Sequence, residues 1–289
     1  MMLAATTGAL PQKISKRFRE DEVKNPLNDV WAAGRPVLNG WLSIGSPFTA
    51  EIMASQGFDS LTIDGQHGAL DYSALLPMLQ ALRGRGPVVF ARVPWRDPTW
   101  VMKFLDAGAL GIICPMVNSR AQAEEFVSYM RYPPLGQRSY GPTRAAYAYP
   151  SYGTTANEAV LAFAMIETAE AMHNLDEIAA TPGLDGLYVG PADLSIGISN
   201  GRLAPGFDRR EPEVMDAQKR IAEAARANGI HAALHCGSAE YAAEALGWGY
   251  DMVTVGGDSR FLAEAAGATV TRFRTLTDTG RAGTASEGY

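Results

Sequence analysis

Leu161-Ala-Phe-Ala-Met-Ile166 runs into Glu167-Thr168, and Leu184-Asp-Gly-Leu-Tyr-Val189 runs into Gly190-Pro191-Ala192-Asp193-Leu194-Ser195. Each is a short apolar run with a carboxylate just past its end. Short, nearly unbroken apolar runs are the pattern of strands buried on both faces, as in parallel sheets. A carboxylate at the mouth of such a strand is costly unless it is paired or bound to a cation. Two on nearby strands make a hard, oxygen-only donor set of the kind Mg²⁺ or Mn²⁺ accepts.

The same alternation extends outward through most of the chain. Apolar or β-branched runs at 40–44, 60–64, 88–92, 111–114, 161–166, 186–189, 231–234 and 251–255 read as strands. Helical patterns at 47–56, 72–83, 98–107, 120–130, 169–180, 213–228, 239–246 and 259–274 fall between them. Such alternation predicts a parallel sheet covered by helices. Eight units predict an α/β chain folded as a (β/α)8 TIM barrel rather than an open doubly wound sheet. Asp97-Pro98 and Ser119 signal helix starts, and Gly229 signals a helix end. Residues 1–35 read as a leading helix or arm, 36–274 as the barrel and 275–289 as a polar tail. The stretch 131–157, rich in Tyr, Pro, Gly and Arg, is too long for a plain connector and is expected to form an active-site loop.

With 289 residues, 47% hydrophobic and 19% charged, the chain can bury the core of one large barrel. A net charge of −6 without a basic block argues against nucleic-acid binding. Cys114 and Cys236 stand in apolar surroundings and read as reduced core thiols of a cytosolic protein. No apolar run approaches the ~18 residues of a membrane span. The basic residues between Lys13 and Arg19 follow the weakly apolar first ten residues, the wrong order for a secretory signal. The expected location is cytoplasmic.

Active sites of (β/α)8 barrels lie at the C-terminal ends of the strands. There the second strand ends in Asp64-Gly65-Gln66-His67, the third in Arg92 and the fifth in Glu167, while the sixth leads through Gly190-Pro191-Ala192 to Asp193. Each alone admits a structural role. Asp64-Gly65 fits a turn, His67 a loop histidine, Arg92 a rim ion pair, and Glu167 and Asp193 the start of a following helix. Together they put an acid–base group, a fixed cation and two carboxylates on one rim. Gly190-Pro191-Ala192-Asp193 reads as a loop, and its backbone N–H groups beyond Pro191 suit a carboxylate, as helix N-termini and nests do. A 2-oxo acid would then offer a carboxylate oxygen and its ketone oxygen to a cation held by Glu167 and Asp193.

Several motifs recur in order. They are Gly40-Trp41-Leu42, Gly57-Phe58-Asp59, Ile63-Asp64-Gly65-Gln66-His67, Arg92-Val93-Pro94, Arg131-Tyr132-Pro133-Pro134, Ile166-Glu167-Thr168 and Gly190-Pro191-Ala192-Asp193-Leu194-Ser195. Over about residues 36–270 the chain resembles the metal-dependent class II pyruvate aldolases of the 4-hydroxy-2-oxoheptanedioate aldolase (HpcH/HpaI) type. The resemblance implies a (β/α)8 barrel assembled as a homo-oligomer, a trimer of dimers. It implies that Glu167 and Asp193 ligate a divalent cation (Mg²⁺, Mn²⁺ or Co²⁺), with water at the other positions. By the same resemblance Arg92 stabilises the enolate oxygen, and His67, oriented by Asp64, is the acid–base group, acting through a water. The backbone at Ala192 and Asp193 holds the pyruvate carboxylate, and Asp106 reaches a neighbouring subunit's site. The sequence departs from the family pattern at Gln66, where a glutamate is usual, and at Met165, where a glutamine is usual. It departs again in Ser139-Tyr-Gly-Pro-Thr-Arg144. His235 falls where the family often has an apolar aldehyde-pocket residue, which points to a more polar acceptor or to a structural hydrogen bond.

The activity expected is reversible aldol cleavage of a 4-hydroxy-2-oxo acid to pyruvate (or hydroxypyruvate) and an aldehyde, through a cation-stabilised enolate. No lysine lies at the strand mouths, which argues against a Schiff-base aldolase. Oxaloacetate decarboxylation or a CoA-ester lyase reaction would use the same enolate, although no basic cluster suits coenzyme A phosphates. A non-catalytic barrel is the remaining alternative.

Overall fold

The computed structural model describes residues 24–277. Eight parallel strands close into a barrel in sequence order. They are β1 (Val37–Leu42), β2 (Ser60–Asp64), β3 (Val88–Arg92), β4 (Gly111–Cys114), β5 (Leu161–Ile166), β6 (Gly186–Val189), β7 (His231–His235) and β8 (Met252–Gly257). The (β/α)8 expectation is met, and β2, β3, β4, β5 and β6 have the bounds read from sequence. β1 begins earlier than expected and shifts register against β8 between Asn39 and Trp41.

Strand burial explains why the apolar runs were so clear, since β2, β4, β5 and β6 are buried at every position. Phe90 and Phe163 meet edge to face across the interior at 5.6 Å. Gly111 and Gly186 make room for them, because a Cβ at either would collide with the ring of Phe90 or Phe163 respectively. The barrel is a packed core with its opening at one end.

The helices are α1 (Leu27–Ala32), α2 (Pro47–Ala54), α3 (Tyr72–Leu82), α4 (Pro98–Asp106), α5 (Arg120–Met130), α6 (Thr143–Ala148), α7 (Tyr152–Ala159), α8 (Ala169–His173), α9 (Leu175–Ala179), α10 (Pro191–Ile198), α11 (Pro212–Ala227), α12 (Ala239–Leu246) and α13 (Asp258–Thr277). Ser46, Asp71, Asp97, Ser119, Thr168 and Ser238 cap theirs by accepting backbone N–H groups. The helix expected over 169–180 is broken at Asn174, whose amide donates to Asn118 O at 2.8 Å.

Residues 1–23 of the expected arm, and the tail from 278, lie outside the described residues. What is described of the arm covers the N-terminal end of the barrel. Asn25 Nδ2 donates to Leu110 O and Ala159 O, both at 3.0 Å, and Trp31 Nε1 to Asp251 O.

Three expectations are corrected. The stretch 131–157 is not an active-site loop: it carries α6 and α7, pinned by two inward-turned arginines, and contributes no wall to the cavity at the strand ends. Arg131 reaches Asp185 and Val160 O, and fully buried Arg138 reaches Asp106 and Tyr152. Gly190-Pro191-Ala192-Asp193 is not a loop either. It is the start of α10, with Pro191 at the first helical position. The helix at the C-terminal end is longer than expected and hardly touches its own barrel. Every residue from 259 to 277 is exposed, including Leu262, Val270, Phe273 and Leu276.

Candidate active site

At the C-terminal ends of the strands lies a cavity of about 320 Å³. Its walls include Trp41, Asp64, His67, Arg92, Ala192, Asp193 and His235. Asp64 and Arg92, last residues of β2 and β3, are partners in the strand register. Their side chains join through Nε to Oδ1 at 2.8 Å and Nη2 to Oδ2 at 2.6 Å. Trp41 Nε1 donates to the same carboxylate at 3.1 Å, and the guanidinium lies 5.0 Å from the indole ring. Burial alone would raise the Asp64 pKa. Arg92, Trp41 and the His67 N–H outweigh it and hold the carboxyl below its ordinary value. Arg92 is thereby fixed, and its Nη1 has no hydrogen-bond partner among the described residues.

Glu167 follows β5 directly and is 3% exposed. Its Oε1 accepts the Met116 N–H at 2.8 Å. Met116 delivers that N–H from a left-handed backbone, φ 56°, which a non-glycine residue rarely adopts. Gly190 lies so close on the other side that a Cβ there would collide with Oε2. Burial, helped by the charge of Asp193, pushes the Glu167 carboxyl up to about 7, against the opposing Met116 N–H and Arg92. Asp193 sits in the first turn of α10, where Ala192 and Asp193 carry N–H groups that the helix leaves unbonded.

The sequence that carries this rim of acid, cation and acid matches a known family over most of its length. The sequence model described as HpcH/HpaI aldolase/citrate lyase covers residues 39–265. The chain belongs to that family. A hydroxypyruvate/pyruvate aldolase of Rhizorhabdus wittichii is 41% identical over 253 residues, 87% of this chain and 100% of the relative. A 4-hydroxy-2-oxo-heptane-1,7-dioate aldolase of Klebsiella pneumoniae is 35% identical, over 87% of this chain and 94% of the relative. The crystal structure of an HpcH/HpaI aldolase/citrate lyase family protein from Burkholderia cenocepacia superposes with a TM-score of 0.76 at 29% identity, covering 91% of this chain and 100% of that one.

This HpcH/HpaI chain is therefore an enzyme, a carbon–carbon lyase of the aldolase type. Its donor set fits a divalent cation. Glu167 Oε2 is a carboxylate oxygen on a buried side chain without a hydrogen-bond partner among the described residues, and Asp193 adds a second hard oxygen donor. No group of three or more His, Cys, Asp or Glu side chains suited to a metal occurs among the described residues, which leaves the other positions to water or substrate.

His67 lines the cavity, but Asp64 holds it through the main chain, accepting the His67 N–H at 3.2 Å. The His67 ring has no partner among the described residues. Asp106 is not brought to this cavity. It ends α4, binds Arg138 Nη2 at 2.6 Å and lines a separate hollow with Tyr72, Lys103 and Arg144. Sequence reasoning missed Trp41, Met116 and Phe207. Trp41 was visible as an aromatic in the first strand. A left-handed methionine and a rim phenylalanine beyond α10 leave no such signal. Cys114 and Cys236 are buried free thiols, as expected of core cysteines. No helix among the described residues is long and apolar enough to cross a membrane.

Proposed function

We propose that the protein reversibly cleaves a 4-hydroxy-2-oxo acid to pyruvate, or hydroxypyruvate, and an aldehyde. The observation that carries this is Arg92, held at one cavity wall by Asp64 and Trp41 with one nitrogen left for substrate. Glu167 and Asp193 would hold Mg²⁺, Mn²⁺ or Co²⁺. Bound there, the cation acts as a Lewis acid on the 2-oxo group. The N–H groups of Ala192 and Asp193 receive the substrate carboxylate, aided by the positive end of α10. His67, acting through a water, takes the proton of the 4-hydroxyl as the C3–C4 bond breaks, and the electron pair moves to the C2 oxygen. Arg92 supplies fixed positive charge where that oxygen becomes an enolate, a preorganised contribution of about 3 kcal/mol. The aldehyde departs, and protonation at C3 gives the 2-oxo acid product.

We further propose a homo-oligomer, arranged as a trimer of dimers, located in the cytoplasm. The unpacked α13 supports association: a 20-residue helix with Leu262, Val270, Phe273 and Leu276 exposed suits a second copy of this chain. Asp106, remote from its own cavity, would then approach a neighbour's site.

The test combines pyruvate or hydroxypyruvate with a panel of aldehydes and Mg²⁺, Mn²⁺ or Co²⁺, with oxaloacetate as control. The reading expects a 4-hydroxy-2-oxo acid product that a chelator abolishes. Decarboxylation of oxaloacetate with no aldol product from any aldehyde would favour the decarboxylase alternative.

A further inference from the structure

One wall of the cavity has chemistry that enolisation does not use. His235 ends β7 there, with Phe207 stacked on its imidazole at 4.9 Å and Trp41 set edge-on at 4.7 Å. Behind the imidazole a chain of hydrogen bonds descends into the barrel. His235 Nδ1 is 3.2 Å from Tyr188 Oη, which is 2.8 Å from Thr254 Oγ1. Thr254 Oγ1 is 2.8 Å from Asn39 Nδ2, and Asn39 Oδ1 faces the hydroxyls of Ser60 at 2.8 Å and Thr62 at 3.1 Å.

Counting protons gives the chain a direction. Ser60 and Thr62 both need an acceptor, and both reach Asn39 Oδ1. That orientation turns the Asn39 amide N–H toward Thr254 Oγ1. Thr254 accepts it, and among the described residues its own proton has an acceptor only in Tyr188 Oη. Tyr188 then has one proton to give and one partner left, His235 Nδ1. Flipping Asn39 would strand the Ser60 and Thr62 protons in a buried layer, a costly outcome.

We infer that this relay holds His235 as the neutral Nε2–H tautomer and that the N–H selects the acceptor aldehyde. The inference rests on the aldolase reading of the cavity. The aldehydes favoured are those with an oxygen beside the reacting carbonyl, because that oxygen accepts from Nε2. An alkyl aldehyde of the same length seals the donor against aromatic rings without an acceptor, and the cost falls on that substrate. His235 is a specificity residue, and Tyr188 is the positioning residue that sets its tautomer.

The test has two arms. The ratio of kcat/KM for glycolaldehyde over propanal, with pyruvate as partner, is compared between wild type and His235→Phe. ¹⁵N NMR of histidine-labelled protein reads which ring nitrogen of His235 carries the proton, in wild type and in Tyr188→Phe. The expected results are a glycolaldehyde preference that falls about tenfold in His235→Phe, a proton on Nε2 in wild type, and a mixed tautomer signal in Tyr188→Phe. A proton on Nδ1 in wild type, no glycolaldehyde preference, or an unchanged ratio in His235→Phe would overturn the inference. Lack of pyruvate methyl-proton exchange in wild type would instead overturn the aldolase reading itself.

Discussion

Asp64 and Arg92 end adjacent parallel strands as register partners, and the carboxylate grips the guanidinium at both Nε and Nη2. Side chains at paired positions of parallel strands point the same way, so this pairing is a consequence of the barrel's register. With 3% and 12% of these side chains exposed, the pair is shielded from water and its geometry is rigid. The ion pair aims Arg92 at the cavity.

Asp64→Asn should therefore loosen Arg92, lowering kcat/KM for cleavage about 10²-fold or more and stability on the order of 3 kcal/mol. The acid limb of urea denaturation gives the sign. Asp64's carboxyl is held below its ordinary 3.8, so its contribution is complete above that value and is lost as pH falls through the native one. Wild type and variant should differ most above about pH 4 and converge in acid. Parallel curves would contradict the role of the pair.

Glu167 titrates in the opposite sense. Its carboxyl, raised to about 7 from an ordinary 4.5, binds an extra proton in the native state across that interval. The metal-free barrel should lose stability as pH rises through the interval, on the order of 3 kcal/mol in total. Protons compete with the cation there, so Mn²⁺ affinity by calorimetry should climb up to about tenfold per pH unit below 7 and level above it. Glu167→Gln should remove the climb and weaken binding throughout.

The His67 ring stands at the cavity wall without a partner among the described residues. His67→Ala should slow aldol cleavage about 10²–10⁴-fold while changing the affinity for pyruvate little, measured by steady-state kinetics beside pyruvate titration. Equal losses in both would make His67 a positioning residue.

The unpacked α13 predicts the assembly. Sedimentation of the full chain should give a mass several times that of one chain, and Phe273→Asp with Leu276→Asp should lower it. A full-length monomer would contradict the reading.

The barrel was legible because its strands are buried along their length, so apolar runs marked them with little ambiguity. The placement of Asp64, Arg92, Glu167 and Asp193 followed from counting to the ends of those runs. What stayed hidden depends on geometry that pattern does not carry. Glycine and proline before Asp193 read as a loop, and the structure makes them the start of α10. The 131–157 stretch read as an active-site loop because it is long and rich in Tyr, Pro, Gly and Arg, yet Arg138 is buried by pairing with Asp106. An amphipathic α13 reads as a barrel helix because a sequence does not say which chain its apolar face meets. The left-handed Met116, and the relay behind His235, exist only once distant strands are closed into a ring.

If this cavity makes an enolate from a 2-oxo acid with Glu167 and Asp193 holding the cation, pyruvate must exchange its methyl protons with solvent. ¹H NMR of pyruvate in deuterated water with Mg²⁺ follows that exchange as loss of the methyl signal. Exchange should occur with wild type, stop on addition of chelator, and be lost in Glu167→Gln and Asp193→Asn proteins whose circular dichroism is unchanged. Exchange at the wild-type rate after chelation and in both variants would contradict that role of Glu167 and Asp193.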